Sequence, residues 1–127
     1  MALTIAAIAW AAGFLEGEGT FTGYIVKNGN HLRTNIQAAQ VQLEPLLVLQ
    51  KLFGGHIWYD KKINQIMDHP NYSPAYRWTL GGPKGRGLMM TIFYFMSPKR
   101  KQQIKGALQV WRSREQPDYI KRRAING

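Results

Sequence analysis

The chain contains no cysteine. A disulfide framework and a cysteine-ligated zinc site are both excluded. Acid is scarce: 7 Asp and Glu stand against 17 Lys and Arg, for a formal net charge of +10. With a pI near 10.2, such a chain points to a polyanionic partner. The three histidines, His31, His56 and His69, lack metal-ligand spacing and read as structural or surface residues. No apolar run reaches the ~20 residues of a membrane span. No basic stretch precedes the N-terminal apolar run, as a secretory signal would require. An intracellular protein is the default expectation. Four Trp and six Tyr argue against a disordered basic tail. A length of 127 residues, 45% of them hydrophobic, predicts one domain over 1–127 with a modest core.

What stands out is residues 2–19, ALTIAAIAWAAGFLEGEG. Ala2 to Leu15 is apolar except for Thr4, and Glu16 and Glu18 follow between glycines. At 100° per residue, Ala2, Ala6, Ala9 and Gly13 form a seam of small side chains. Leu3, Trp10 and Phe14 flank it on one side, Ile5, Ile8 and Leu15 on the other. A helix apolar all round is expected to be buried, and the glycines near its acids to end it with unusual backbone angles. The plain interpretation is a buried helix with solvated acids at its exit. The sharper one is two such helices packed seam to seam, because small residues let backbones approach closely. Glu18 would then face its symmetry mate. Two close carboxylates need a proton or a cation between them, and oxygen ligands suit Mg²⁺.

Downstream, residues 20–27 alternate as a strand with Thr22, Tyr24 and Val26 on one face and Phe21, Gly23 and Ile25 on the other. Asn28-Gly29-Asn30 predicts a hairpin turn. A second strand over 31–41 sets Leu32, Thr34, Ile36 and Ala38 toward a core. Arg33, Asn35 and Gln37 then face a partner, with Thr22, Tyr24 and Asn28. Arg, Asn and Gln suit base edges in a major groove; an ordinary polar sheet face has the same composition. A helix begins at Leu43-Glu44-Pro45 and stops at Gly54-Gly55. Residues 56–60 read as a strand, and a loop with Lys61 and Lys62 follows. Residues 76–80 form a fourth strand, Trp78 and Leu80 inward, Arg77 and Thr79 outward. Gly81-Gly82-Pro83 is expected to break the chain before a helix over 87–96. Ser97-Pro98 restarts a helix over 99–114, and a short helix over 118–125 is expected to cap the core or clamp a backbone.

Residues 11–19, AAGFLEGEG, closely resemble the nine-residue signature of the LAGLIDADG homing endonucleases. Ala12 and Gly13 match its central Ala-Gly, Glu16 its first acid and Glu18 its second, with Glu replacing Asp at both. The resemblance implies an α+β fold in the order α-β-β-α-β-β-α: a curved antiparallel four-stranded sheet saddling DNA, helices behind it, and further C-terminal helices. It implies a site-specific DNA endonuclease serving intron or intein homing. One motif per chain implies a homodimer, its interface at Ala6, Ala9, Gly13 and Glu16, and a palindromic or pseudo-palindromic target. Glu18 from each subunit, with the Gly17 carbonyl, would hold Mg²⁺, with Mn²⁺ or Ca²⁺ as substitutes for binding.

The resemblance also implies a polar residue near the end of the second strand, best matched by Gln42, with Gln40 the competing register. It likewise implies a lysine after the late helix, best matched by Lys99, with Lys101 its rival; both groups would order water. Arg100 or Lys101 would then sit on phosphate, although a basic helix start binds phosphate nonspecifically in many proteins. Specificity would come from Tyr24, Asn28, Arg33, Asn35, Gln37, Trp58, Asp60, Arg77 and Thr79, with Trp58 equally suited to a core. Lys105, Arg112, Arg114, Lys121, Arg122 and Arg123 would contribute backbone contacts or plain surface charge. The alternative is a non-cleaving nucleic-acid-binding protein on the same scaffold, an RNA maturase or a DNA-binding regulator.

Overall fold

Among the described residues, four helices, four strands and one 3-10 turn build the fold around a single antiparallel sheet. A computed structural model of the chain describes residues 3–25, 32–60 and 74–115. Helix α1 spans Ile5–Glu18, and the hydroxyl of Thr4 caps it by accepting the Ala7 N–H at 3.0 Å. Strands β1 (Gly19–Ile25) and β2 (Leu32–Gln40) follow, then α2 (Glu44–Phe53). Strands β3 (His56–Asp60) and β4 (Ala75–Gly81) lead into α3 (Gly82–Ile92). A 3-10 turn, Phe93–Phe95, connects to α4 (Pro98–Glu115). The sheet order is β1-β2-β4-β3, with every pair antiparallel.

Pairing assigns each strand residue to a face. Gly19, Phe21 and Gly23 pair with Ala38, Ile36 and Thr34, and Ile36 and Ala38 pair with Leu80 and Trp78. This face meets the helices. Phe21, Ile36, Ala38, Trp78 and Leu80 are buried in one cluster with Ala11, Ala12, Leu15, Leu46, Leu49, Met89, Ile92 and Ile104. Apolar burial of a large side chain contributes about 1.5–3 kcal/mol, so this layer carries most of the fold's stability. Trp78 is fully buried, and its indole N–H donates to the Gly54 carbonyl at 2.9 Å, which removes the cost of an orphaned donor. Gly23 is a close-approach glycine: a Cβ there would lie 2.6 Å from the Cα of Ala107 in α4.

Three expectations need correction. First, α1 is not buried all round. Ala11, Ala12 and Leu15 are buried, while Ile5 is 85% exposed and Ala6, Ala9, Trp10 and Gly13 also face solvent. One chain supplies packing partners on one side only, from α3, the 3-10 turn, β1 and β2. Second, the glycines around Glu16 and Glu18 adopt no unusual angles. The helix continues through Gly17, and Gly19 is extended at φ −84° and ψ 152°, so the strand starts at once. Third, Gly81-Gly82-Pro83 does not break the chain, and the next helix starts at Gly82 rather than residue 87. Gly82 takes φ +64° and makes the sharp strand-to-helix reversal. Pro83 then falls in the first turn, where it removes no helical hydrogen bond. The expected Asn28-Gly29-Asn30 turn and the helix over 118–125 lie outside the described residues. Among the described residues, no helix is long and apolar enough to cross a membrane.

Candidate active site and nucleic-acid interface

The sheet's second face carries the polar alternation. Thr20, Thr22 and Tyr24 pair with Gln37, Asn35 and Arg33. Gln37 pairs with Thr79 and Ala39 with Arg77 on the next strand, and Thr79 and Arg77 pair with His56 and Trp58. Directly paired residues share a face, so Thr22, Tyr24, Arg33, Asn35, Gln37, Arg77, Thr79, Trp58 and Asp60 lie together on the side away from the core cluster. Trp58 is only partly buried and stacks on His56 at 5.8 Å between ring centroids. A concavity of about 650 Å³ is lined by Tyr24, Arg33, Asn35 and Thr79 together with Leu32, Thr34, Gly81 and Gly82. Asp60 is buried and accepts from Arg77 Nε at 2.5 Å, so it orients a guanidinium on this face. Asn28, Lys61 and Lys62 lie outside the described residues.

At the sheet's edge stands the motif. Glu18 is the last residue of α1. It is exposed, with no hydrogen bond or ion pair to the described residues. Gly17 precedes it with open space around its Cα. Hard carboxylate and carbonyl oxygens in this setting fit Mg²⁺. Among the described residues no three His, Cys, Asp or Glu side chains gather.

Glu16 has a different environment. Its Oε1 accepts the Ser97 backbone N–H at 2.5 Å and its Oε2 the Ser97 hydroxyl at 2.9 Å. Arg100 Nε donates to the Glu16 backbone carbonyl at 2.9 Å and lies 3.9 Å from Oε2. The Ser97 N–H, opposed by partial burial, holds the Glu16 carboxyl below its ordinary value, aided by the Ser97 hydroxyl and the Arg100 and Lys99 charges. Glu16, placed at the dimer interface from sequence, is therefore engaged inside its own chain. Arg100, placed on phosphate, is also engaged there: besides Glu16 it donates to Gln103 Oε1 at 3.1 Å. Two of its guanidinium donors are thus hydrogen-bonded within its own chain.

Lys99 is exposed in the first turn of α4, close enough to lower the Glu16 carboxyl. Lys101 is half-buried, its ammonium 5.7 Å from the Phe93 ring centroid. Strand β2 ends at Gln40, and Gln42 sits beyond it, exposed, in the bend before α2. The seam residues Ala6, Ala9 and Gly13 are all exposed. Sequence reasoning missed the contact of Ser97 with Glu16. Its one local trace was Ser97-Pro98, a helix-start pair.

No family model matches the chain, and no curated protein matches it. Solved structures do. The homing endonuclease I-CvuI in complex with its target, in the presence of Ca, is 19% identical over 77% of this chain and 61% of that one, with a TM-score of 0.59. The archaeal intron-encoded homing endonuclease I-Vdi141I complexed with DNA is 22% identical over 76% and 62%, with a TM-score of 0.56. The LAGLIDADG homing endonuclease I-GzeII in complex with its DNA target is 19% identical over 96% and 43%, with a TM-score of 0.59. The chain thus spans 61%, 62% and 43% of the lengths of these three. Motif and architecture agree, and the chain takes the fold of the LAGLIDADG homing endonucleases.

Proposed function

We propose that the chain is a site-specific DNA endonuclease, acting as a homodimer with a divalent metal, Mg²⁺ above all. The observation that carries this reading is the solvent-open seam Ala6–Ala9–Gly13 on α1, which ends at the exposed carboxylate of Glu18, without a partner among the described residues. Two copies meeting along this seam bring two Glu18 carboxylates together at one edge of a doubled polar sheet face. Small side chains permit the approach, and the shared charge favours a cation there.

The paired Glu18 carboxylates and Gly17 carbonyls would hold the metal, which when bound would supply Lewis-acid stabilisation of the phosphate and activation of water. The chain's own groups do the rest. Lys99 places a positive charge beside the scissile phosphate and orders water. Gln42, or Gln40 at the strand end, orients water through its amide. Thr22, Tyr24, Arg33, Asn35, Gln37, Trp58, Arg77 and Thr79 meet base edges, and Asp60 orients Arg77. The remaining Lys and Arg contacts set affinity with a log–log salt slope of about −0.9 per neutralised phosphate.

The test is selection of cleaved duplexes from a randomised palindromic library with Mg²⁺, repeated with Glu18→Gln. The wild type should recover a palindromic site. The variant should bind that site undiminished yet leave it intact. Wild-type binding without any cut would instead support a non-cleaving regulator, and preference for an RNA over the duplex would support a maturase.

A further inference from the structure

Ser97 is the N-cap of α4: its hydroxyl accepts the Arg100 N–H at 3.3 Å and its carbonyl accepts the Lys101 N–H at 2.8 Å. A helix start of this kind is usually closed by a Glu or Gln three residues on, whose side chain reaches back to the cap's own N–H. Here that position is Arg100, which has no acceptor to offer. The missing carboxylate comes from α1 instead, as Glu16, across 81 residues of sequence. The exchange is reciprocal. Arg100 Nε donates to the Glu16 carbonyl, one of the C-terminal carbonyls that a helix leaves without an internal partner. Each helix therefore completes the other's end.

The placement of this joint matters more than its strength. Glu16 and Ser97 each stand two positions before a group assigned to the reaction, Glu18 and Lys99. We propose that Glu16 is a positioning residue: with Ser97 and Arg100 it fixes the start of α4, and so Lys99, relative to Glu18 at the end of α1. This rests on the endonuclease reading above and adds to it a function for the motif's first acid that is neither metal binding nor dimerisation. An active-site group must be held by neighbours that lock it, and misplacement of about 1 Å can cost a hundredfold in rate.

The deciding experiment separates capping from positioning. Glu16→Ala removes the borrowed carboxylate. Adding Arg100→Glu supplies one from within α4, so the start of α4 is capped again while its tie to α1 is gone. Three readouts are compared on the wild type, Glu16→Ala, Glu16→Gln and the double variant: thermal unfolding, hydrogen exchange at the Ser97 amide, and single-turnover cleavage of the duplex selected by the wild type. Glu16→Ala should lose Ser97 protection and about a hundredfold in cleavage rate. Glu16→Gln, which still offers an acceptor, should keep most of both. The double variant should regain Ser97 protection and melting temperature but stay slow. If its cleavage recovers along with its stability, Glu16 is only a cap and the proposal fails. If Glu16→Ala cuts at the wild-type rate, it fails likewise. A wild type that cuts no duplex overturns the endonuclease reading itself, and this role with it.

Discussion

Ser97 gives both its backbone N–H and its hydroxyl to the two carboxylate oxygens of Glu16, at 2.5 and 2.9 Å. One residue of the motif thereby binds the helix that presents Lys99, and stability should reveal the link. Ser97→Ala removes one bond to Glu16 and the cap of Arg100, and should lower unfolding free energy by about 0.5–2 kcal/mol. Urea denaturation followed by circular dichroism measures it.

The same carboxylate sets an acid limit. Glu16 is held below the ordinary value of 4.5 in the fold, so the unfolded chain binds its proton first as pH falls. Its contribution is therefore complete above 4.5 and is lost progressively as pH drops through the lowered folded value. Stability of the wild type relative to Glu16→Gln should be flat at neutral pH and converge in that acid range. A difference that instead grew on acidification would contradict the assignment.

The exposed seam predicts a separation of folding from assembly. A Cβ at Gly13 meets nothing within 4 Å among the described residues, and replacing a helical glycine with alanine gains about 1 kcal/mol. Gly13→Leu should therefore leave the single chain folded, with helical circular dichroism intact. It should block backbone approach between two copies, so sedimentation should report half the wild-type mass, and cleavage should vanish. An unchanged mass would place the interface elsewhere.

On the sheet, Gln37 occupies a central position, paired with Thr20 on one side and Thr79 on the other. Gln37→Ala should cost about 1–3 kcal/mol of discrimination at one base position. The salt dependence of binding should not move, because no charge is removed. Library selection with the variant tests this. Uniform weakening across all sequences would mean that the side chain never reaches a base.

Much of this was legible in the residues. Period-two alternation in β1, β2 and β4 assigns every polar side chain to a face, because a strand turns its side chains over at each step. The pairing register follows the same parity. The motif residues Ala12, Gly13, Glu16 and Glu18 placed the first helix and its acids. What stayed hidden was long-range or depended on backbone angles. The Glu16–Ser97 joint links residues 81 apart, beyond the reach of any local pattern. The run Gly81-Gly82-Pro83 looked like a break, since a positive φ at Gly82 can only be seen in coordinates. The open side of α1 was hidden because an apolar surface reads the same whether its cover is the same chain or another.

The near-contact of Gly23 with Ala107 joins two ends of the molecule that serve different tasks. Thr22 and Tyr24, which flank Gly23, look outward from the sheet, while Ala107 belongs to the helix that carries Lys99 in its first turn. Backbone meets backbone here, with no flexible side chain to absorb a displacement. On the endonuclease reading, strand β1 and the helix bearing Lys99 are thus seated against each other as one rigid unit, and any side chain added at Gly23 would push them apart.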